Sequence, residues 1–169
     1  HNDYGENKVQ DALEKWTEIK KINTKIRLHM IGKLQTNKVK FAVKIFDYIH
    51  SVDSEKLARK IADEQDKINK KIKIFLQVNI GEENQKSGIN KNEVVQLVSF
   101  SKDIGLNVIG LMCIPPANID PESFFVEMNN LNKDLGLGEL SMGMSSDYLV
   151  AAKNLSTYIR VGSSIFGQR

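Results

Sequence analysis

The chain has 169 residues, 41% of them hydrophobic and 27% charged, with a net charge of +3, the balance of an ordinary globular protein with one sizeable core. Its lysines sit beside glutamates along helical stretches and its four arginines, Arg27, Arg59, Arg160 and Arg169, are scattered, so a solvated surface is expected and a nucleic-acid track is not. No run is apolar for long enough to span a bilayer, the opening HNDYGENKVQ is not a signal peptide, and Cys113 as the single cysteine rules out an intrachain disulfide; a cytoplasmic location without nucleic-acid or membrane partners follows.

Helix and strand patterns then alternate with little break. Val9, Ala12, Leu13, Trp16, Ile19 and Ile22 recur at helical spacing and predict a first amphipathic helix. A short strand over 26–31 closes at Gly32, a helix follows over 36–46, and a strand over 48–52. Asp53-Ser54 caps the next helix, whose apolar side carries Leu57, Ile61 and Ile68. The stretch 73–80 is the clearest strand, with Ile74, Leu76, Val78 and Ile80 alternating against Phe75, Gln77 and Asn79. A polar loop over 81–91 leads to a helix over 93–103 and a strand over 107–114, where Cys113 reads as a buried small hydrophobe. Pro115-Pro116 break the chain before a helix over 121–135. Two further strands, near Leu140 and Tyr158, flank a helix over 147–155. Such alternation predicts a parallel sheet with right-handed crossovers, and no linker divides the chain, so residues 1–169 are expected to form one domain.

The segment LSMGMSSDYLVAAKNLSTYIRVGSSIFG, over 140–167, has the makings of a single phosphate site built in two halves. Tyr158-Ile159-Arg160-Val161-Gly162-Ser163-Ser164 is an apolar strand that breaks into a glycine and two serines, where backbone can approach a ligand and successive N–H groups form an anion cup. Ser141-Met142-Gly143-Met144-Ser145-Ser146-Asp147 runs from a strand into hydroxyls at a helix start, which also favours an anion. Taken alone, the pattern is equally that of ordinary helix caps. Arg160 is the one arginine within an apolar strand; it reads as a ligand contact, with a rim salt bridge as the alternative. His29 and His50 lie within strands and read as satisfied core histidines, and the three histidines have no metal-ligand spacing.

The residue order is more specific than the pattern. LSMGMS with its following aspartate, and IRVGSSIFG, closely resemble the C-terminal signature of the pyridoxal phosphate homeostasis (YggS/PROSC) family. Tyr4-Gly5-Glu6-Asn7 with Val9-Gln10, His29-Met30-Ile31-Gly32-Lys33-Leu34-Gln35-Thr36-Asn37-Lys38, His50-Ser51-Val52-Asp53, Gln77-Val78-Asn79, Lys86-Ser87-Gly88 and Gly110-Leu111-Met112-Cys113-Ile114-Pro115 follow in the family's order. Leu28 stands where the family has a tryptophan and Tyr4 where it has a phenylalanine, changes that touch packing and not fold. The resemblance implies an α/β fold, a (β/α)8 TIM-type barrel similar to the N-terminal domain of alanine racemase. It also makes 2–6 a strand, the seventh beside six readable from pattern. Such barrels have eight strands and run to about 250 residues. The resemblance therefore places one further βα unit, carrying the lysine that holds the cofactor as a Schiff base, ahead of this sequence; Lys33, Lys38 and Lys86 do not match that position.

The resemblance further implies that pyridoxal 5'-phosphate is the cofactor. Ser145 would give its hydroxyl to the phosphate, Gly162 and Ser163 their N–H groups, and Ser163 or Ser164 a hydroxyl. Met144 would pack near the ring, Arg160 would meet the pyridine nitrogen, and Asn7 and Asn79 would line the pocket, Asn79 being equally readable as a strand-end cap. An arginine there has donors only and a permanent charge, so the ring stays unprotonated and is a weak electron sink. The leading expectation is a non-enzymatic carrier of the cofactor, a monomer that hands it to apo-enzymes, because no second domain supplies an opposite-face base. The alternatives are an alanine-racemase-type enzyme, for which Tyr4, His29 and Tyr158 are the candidate bases, and a scaffold that binds phosphate without a covalent link.

Overall fold

A computed structural model describes residues 1–83, 85 and 87–167. Seven strands, β1 (Asp3–Glu6), β2 (Arg27–Met30), β3 (Tyr48–Val52), β4 (Lys73–Val78), β5 (Asn107–Cys113), β6 (Glu139–Met144) and β7 (Tyr158–Arg160), form one sheet in chain order. Each pairs with the next in parallel, the arrangement that consecutive crossovers through helices demand. The helices are α1 (Val9–Ile22), α2 (Val39–Ile45), α3 (Glu55–Lys67), α4 (Val94–Asp103), α5 (Glu122–Asp134), α6 (Tyr148–Lys153) and α7 (Ser163–Phe166). Among the described residues no helix is long and apolar enough to cross a membrane.

A parallel sheet of this kind is covered on both faces, and the burial pattern reflects it: every residue of β3 is buried, and every residue of β4 after Lys73. The alternation read in β4 therefore separates two apolar environments. Ile74, Leu76 and Val78 join the large core between sheet and helices, whereas Phe75 joins Tyr48 and Met112 in a smaller inner cluster, with Tyr158 packed on it.

Two local expectations are corrected. Thr36–Lys38 forms a 3-10 turn ahead of α2, since Thr and Asn are poor helix formers and the tighter turn suits a helix start. Ile68 is exposed: it lies one residue past α3, where helical period no longer governs direction, and Leu57, Ala58, Ile61, Ala62 and Gln65 form the buried side. The loop after β4 folds back on its own strand. Asn79 exchanges bonds with the backbone of Glu83 (2.9 and 3.2 Å), Ile89 bridges to Val78, and Gln77 Nε2 donates to Ser87 O at 3.3 Å. Asn79 thus acts as a loop clamp. The cap expectation holds at Ser54, whose Oγ accepts from the Leu57 amide.

At the N-terminal ends of the strands, Asp47 Oδ2 accepts from the Leu28 amide at 2.7 Å and from Lys20 Nζ, while Lys20 and Lys70 donate to Ile45 O and Phe46 O at the end of α2. The last carbonyls of α2 are satisfied by these two cations.

Candidate functional site

The C-terminal ends of β6 and β7 meet as their register requires, Met144 opposite Arg160. Gly143 sits at φ +92°, and a Cβ there would stand 2.6 Å from Ala151 Cβ. Only glycine turns β6 this way while α6 packs against it. The turn carries Ser145 over the end of β7. The amides of Gly162 and Ser164 then converge on Ser145 Oγ at 3.3 and 3.5 Å. The Ser163 amide makes no bond to Ser145, and Gly162, Ser163 and Ser164 are all exposed. Asp147 Oδ1 accepts from the Met144 amide at 2.6 Å and closes the turn. Two backbone donors aimed at one exposed point are the geometry of an oxyanion cup.

Below the cup lies a polar barrel interior. Arg160 reaches across β6, donating to Ser141 Oγ at 2.7 Å and to Cys113 O at 2.9 Å. No carboxylate lies within ion-pair distance of it among the described residues, and burial lowers its pKa. A guanidinium has five N–H donors, so three remain for something else. Met144 is half-buried beside it; Asn7 is exposed just past β1. Lys33 and Lys38 are exposed, and Lys86 lies outside the described residues.

His29 and His50 are buried and bonded to each other, Nδ1 to Nε2, at 3.0 Å. Burial depresses both, His50 well below its ordinary value, where His29 and Arg160 add repulsion; for His29 the Asp3 carboxylate opposes the shift without cancelling it. Both are neutral near pH 7. The linkage sign follows: between the ordinary 6.5 and the lower folded value the unfolded chain binds more protons, so stability is complete above about pH 6.5 and is lost as the pH falls. Unfolding free energies from urea titrations are expected to drop between about pH 7.5 and about pH 5.5, by up to about 1.4 kcal/mol per pH unit for each histidine. His50→Phe should flatten this dependence; an equal slope in the variant would assign it elsewhere.

The three candidate racemase bases are all engaged. Tyr4 packs against Trp16 with its ring tilted by 42°, His29 is held between Asp3 and His50, and Tyr158 is pushed up by burial and by Tyr48. The Cys113 thiol, buried, is pushed up to about 12, which removes it as a nucleophile.

Sequence comparison places this architecture. The alanine racemase N-terminal domain family matches residues 1–169. A pyridoxal phosphate homeostasis protein of Aquifex aeolicus is 36% identical over 98% of this chain and 76% of its own, and one of Pasteurella multocida is 34% identical over the same shares. The chain belongs to the pyridoxal phosphate homeostasis family. Two structures of PipY, the COG0325 family member of Synechococcus elongatus, without and with PLP bound, superpose with TM-scores of 0.90 and 0.88 at 33% identity, over 96% of this chain and 80% of PipY. Alanine racemase of Clostridium difficile, 14% identical with a TM-score of 0.75, shares the fold alone. The family fold expected from sequence is the fold observed, and the segments that carry Ser145 and Arg160 are adjacent in space.

Proposed function

We propose that this chain binds pyridoxal 5'-phosphate and serves its homeostasis as a carrier without turnover of its own. The observation that supports it most directly is the convergence of the Gly162 and Ser164 amides on Ser145 Oγ, one residue beyond the Met144–Arg160 pair. An anion cup and an unpaired guanidinium at that spacing match a molecule with a phosphate at one end and a ring acceptor at the other. Ser145, Ser163 and Ser164 would hold the phosphate through hydroxyls and N–H groups, with Gly162 giving its amide. Met144 would pack on the ring, Asn7 would stand at the mouth, and Arg160 would donate to the ring nitrogen. When bound, the cofactor supplies a reactive aldehyde and an electron-withdrawing ring; Arg160 keeps that ring unprotonated and so limits its withdrawal. The engagement of Tyr4, His29 and Tyr158 in other contacts favours the carrier reading over turnover by any of these three as base. Delivery to apo-enzymes, single-domain organisation, a monomeric state and a cytoplasmic setting complete the proposal.

The test is equilibrium titration with pyridoxine 5'-phosphate, which keeps ring and phosphate but carries an alcohol in place of the aldehyde and so cannot react with surface lysines. Saturable binding at one site, competed by inorganic phosphate and weakened about tenfold by Ser145→Ala, is the expected result. Absence of saturable binding, or binding indifferent to Ser145→Ala, would refute it.

A further inference from the structure

A line of hydrogen bonds runs through the barrel interior from the edge strand β1 to the edge strand β7. Asp3 Oδ1 meets His29 Nε2 at 3.0 Å, His29 Nδ1 meets His50 Nε2 at 3.0 Å, His50 Nδ1 meets Ser141 Oγ at 2.8 Å, and Arg160 reaches Ser141 at 2.7 Å. Beyond it, Arg27 donates to the other oxygen of Asp3. We infer that Asp3, His29, His50 and Ser141 are positioning residues, a hydrogen-bond chain of one polarity that orients Arg160 toward the ring of the ligand; this rests on the cofactor reading above.

The polarity follows from the two ends. An ionised carboxylate only accepts, so His29 donates from Nε2; a neutral imidazole has one N–H, so its Nδ1 must accept. His50 therefore donates from Nε2 and accepts at Nδ1, and the proton it accepts is the Ser141 hydroxyl's. At the far end a guanidinium only donates, so Ser141 offers Arg160 a lone pair. Read from either end, the four links have the same direction.

The alternatives are closed off. Ser141, His50 and His29 are 0%, 1% and 5% exposed, so water cannot replace a link. The rings cannot turn either: His29 stacks on Tyr48 at 4.1 Å and 12°, His50 on Phe75 at 4.3 Å and 23°, and Tyr158 stands edge-on to both His50 and Phe75. With Ser141 Oγ and Cys113 O as fixed acceptors, the guanidinium plane is set. A carboxylate touching Arg160 would orient it equally well but would neutralise its charge. A carboxylate three neutral groups away orients it and leaves the charge for the ligand.

Two measurements test this. Long-range ¹H–¹⁵N spectra of the histidine rings at neutral pH should find both His29 and His50 as neutral Nε2–H tautomers. An Nδ1–H tautomer or a charged ring at either position overturns the chain. In binding, Ser141→Ala should weaken pyridoxine 5'-phosphate about tenfold and leave inorganic phosphate unchanged, and Ser141→Thr, which restores the hydroxyl, should recover most of the loss. Equal losses for both ligands, or no rescue by threonine, would reduce Ser141 to a packing role and overturn the inference. Should Ser141→Ala not fold, the half-exposed Asp3→Asn serves: its amide can donate, so a shift of the His50 ring signals two strands away is expected, and unchanged signals count against the chain. Wild-type protein with the expected tautomers that binds neither ligand would overturn the positioning role through the cofactor reading, and the two failures are thereby told apart.

Discussion

Replacing Gly110 by alanine is expected to cost about 3 kcal/mol or more and to lower the melting temperature by roughly 6–12 °C. Gly110 of β5 pairs with Glu139 of β6, and a Cβ at this position would lie 1.9 Å from Glu139 O and 2.6 Å from Glu139 C. Both contacts are backbone. No rotamer change relieves them; β6 must move away from β5. Because β6 carries Ser141 and Met144 and leads into Ser145, the same shift should spread the cup and weaken phosphate-ligand binding in whatever fraction folds. Thermal and urea unfolding followed by circular dichroism reads the first effect, and titration reads the second. An alanine variant with wild-type stability would mean that the strands separate at little cost, contrary to the close packing expected of a buried parallel pair.

Arg160→Met should have the opposite profile, a large loss of binding with little loss of fold. The guanidinium is held by a hydroxyl and a carbonyl and has no ion pair among the described residues, so its desolvation is only partly offset. Removing such a charge in favour of an apolar side chain of similar length is often neutral for stability; a change within about 1 kcal/mol is expected. Affinity for pyridoxine 5'-phosphate should fall by roughly 10- to 100-fold, the loss of a charge-assisted bond in a shielded site. Inorganic phosphate, which needs only the cup, should bind as before. A parallel loss of both ligands would place Arg160 in the structure of the cup, and an unchanged affinity would remove it from the site. A residue that contributes to binding while giving little to stability is the expected signature of function.

The parts of this molecule that were legible in the sequence are those governed by short-range rules. Six of the strands and the helices between them follow from local apolar period, and the strand over 2–6 from the family resemblance; Ser54 as an N-cap follows from its place before an apolar run; the approach of two strand ends at Ser145 follows from glycine and serines after strands. Each involves residues a few positions apart. The long-range features were not legible. Ser141 and His50 are 91 positions apart and Arg160 and Cys113 are 47 apart, and nothing in the local pattern of either pair signals the other. His29 and His50 carried a hint, as two histidines inside predicted strands, but one that an unrelated pair of core histidines would give equally. Asn79 is a similar case: as a strand-end asparagine it fits a pocket wall or a loop clamp, and its two bonds to the backbone of Glu83 are visible only in the folded chain.

By itself, the sequence determined the family, the parallel α/β architecture and the two strand ends rich in glycine and serine, because hydrophobic period and turn chemistry act over one or two turns of chain. Tertiary structure alone decided which amides meet Ser145, that no carboxylate lies within ion-pair distance of Arg160 among the described residues, and that four side chains from four strands form one line of hydrogen bonds to it. The reason is geometric. In a barrel-like sheet of parallel strands every second residue points to a shared interior, so groups distant in sequence become neighbours through register and curvature, and those are properties of the whole sheet and not of any single strand.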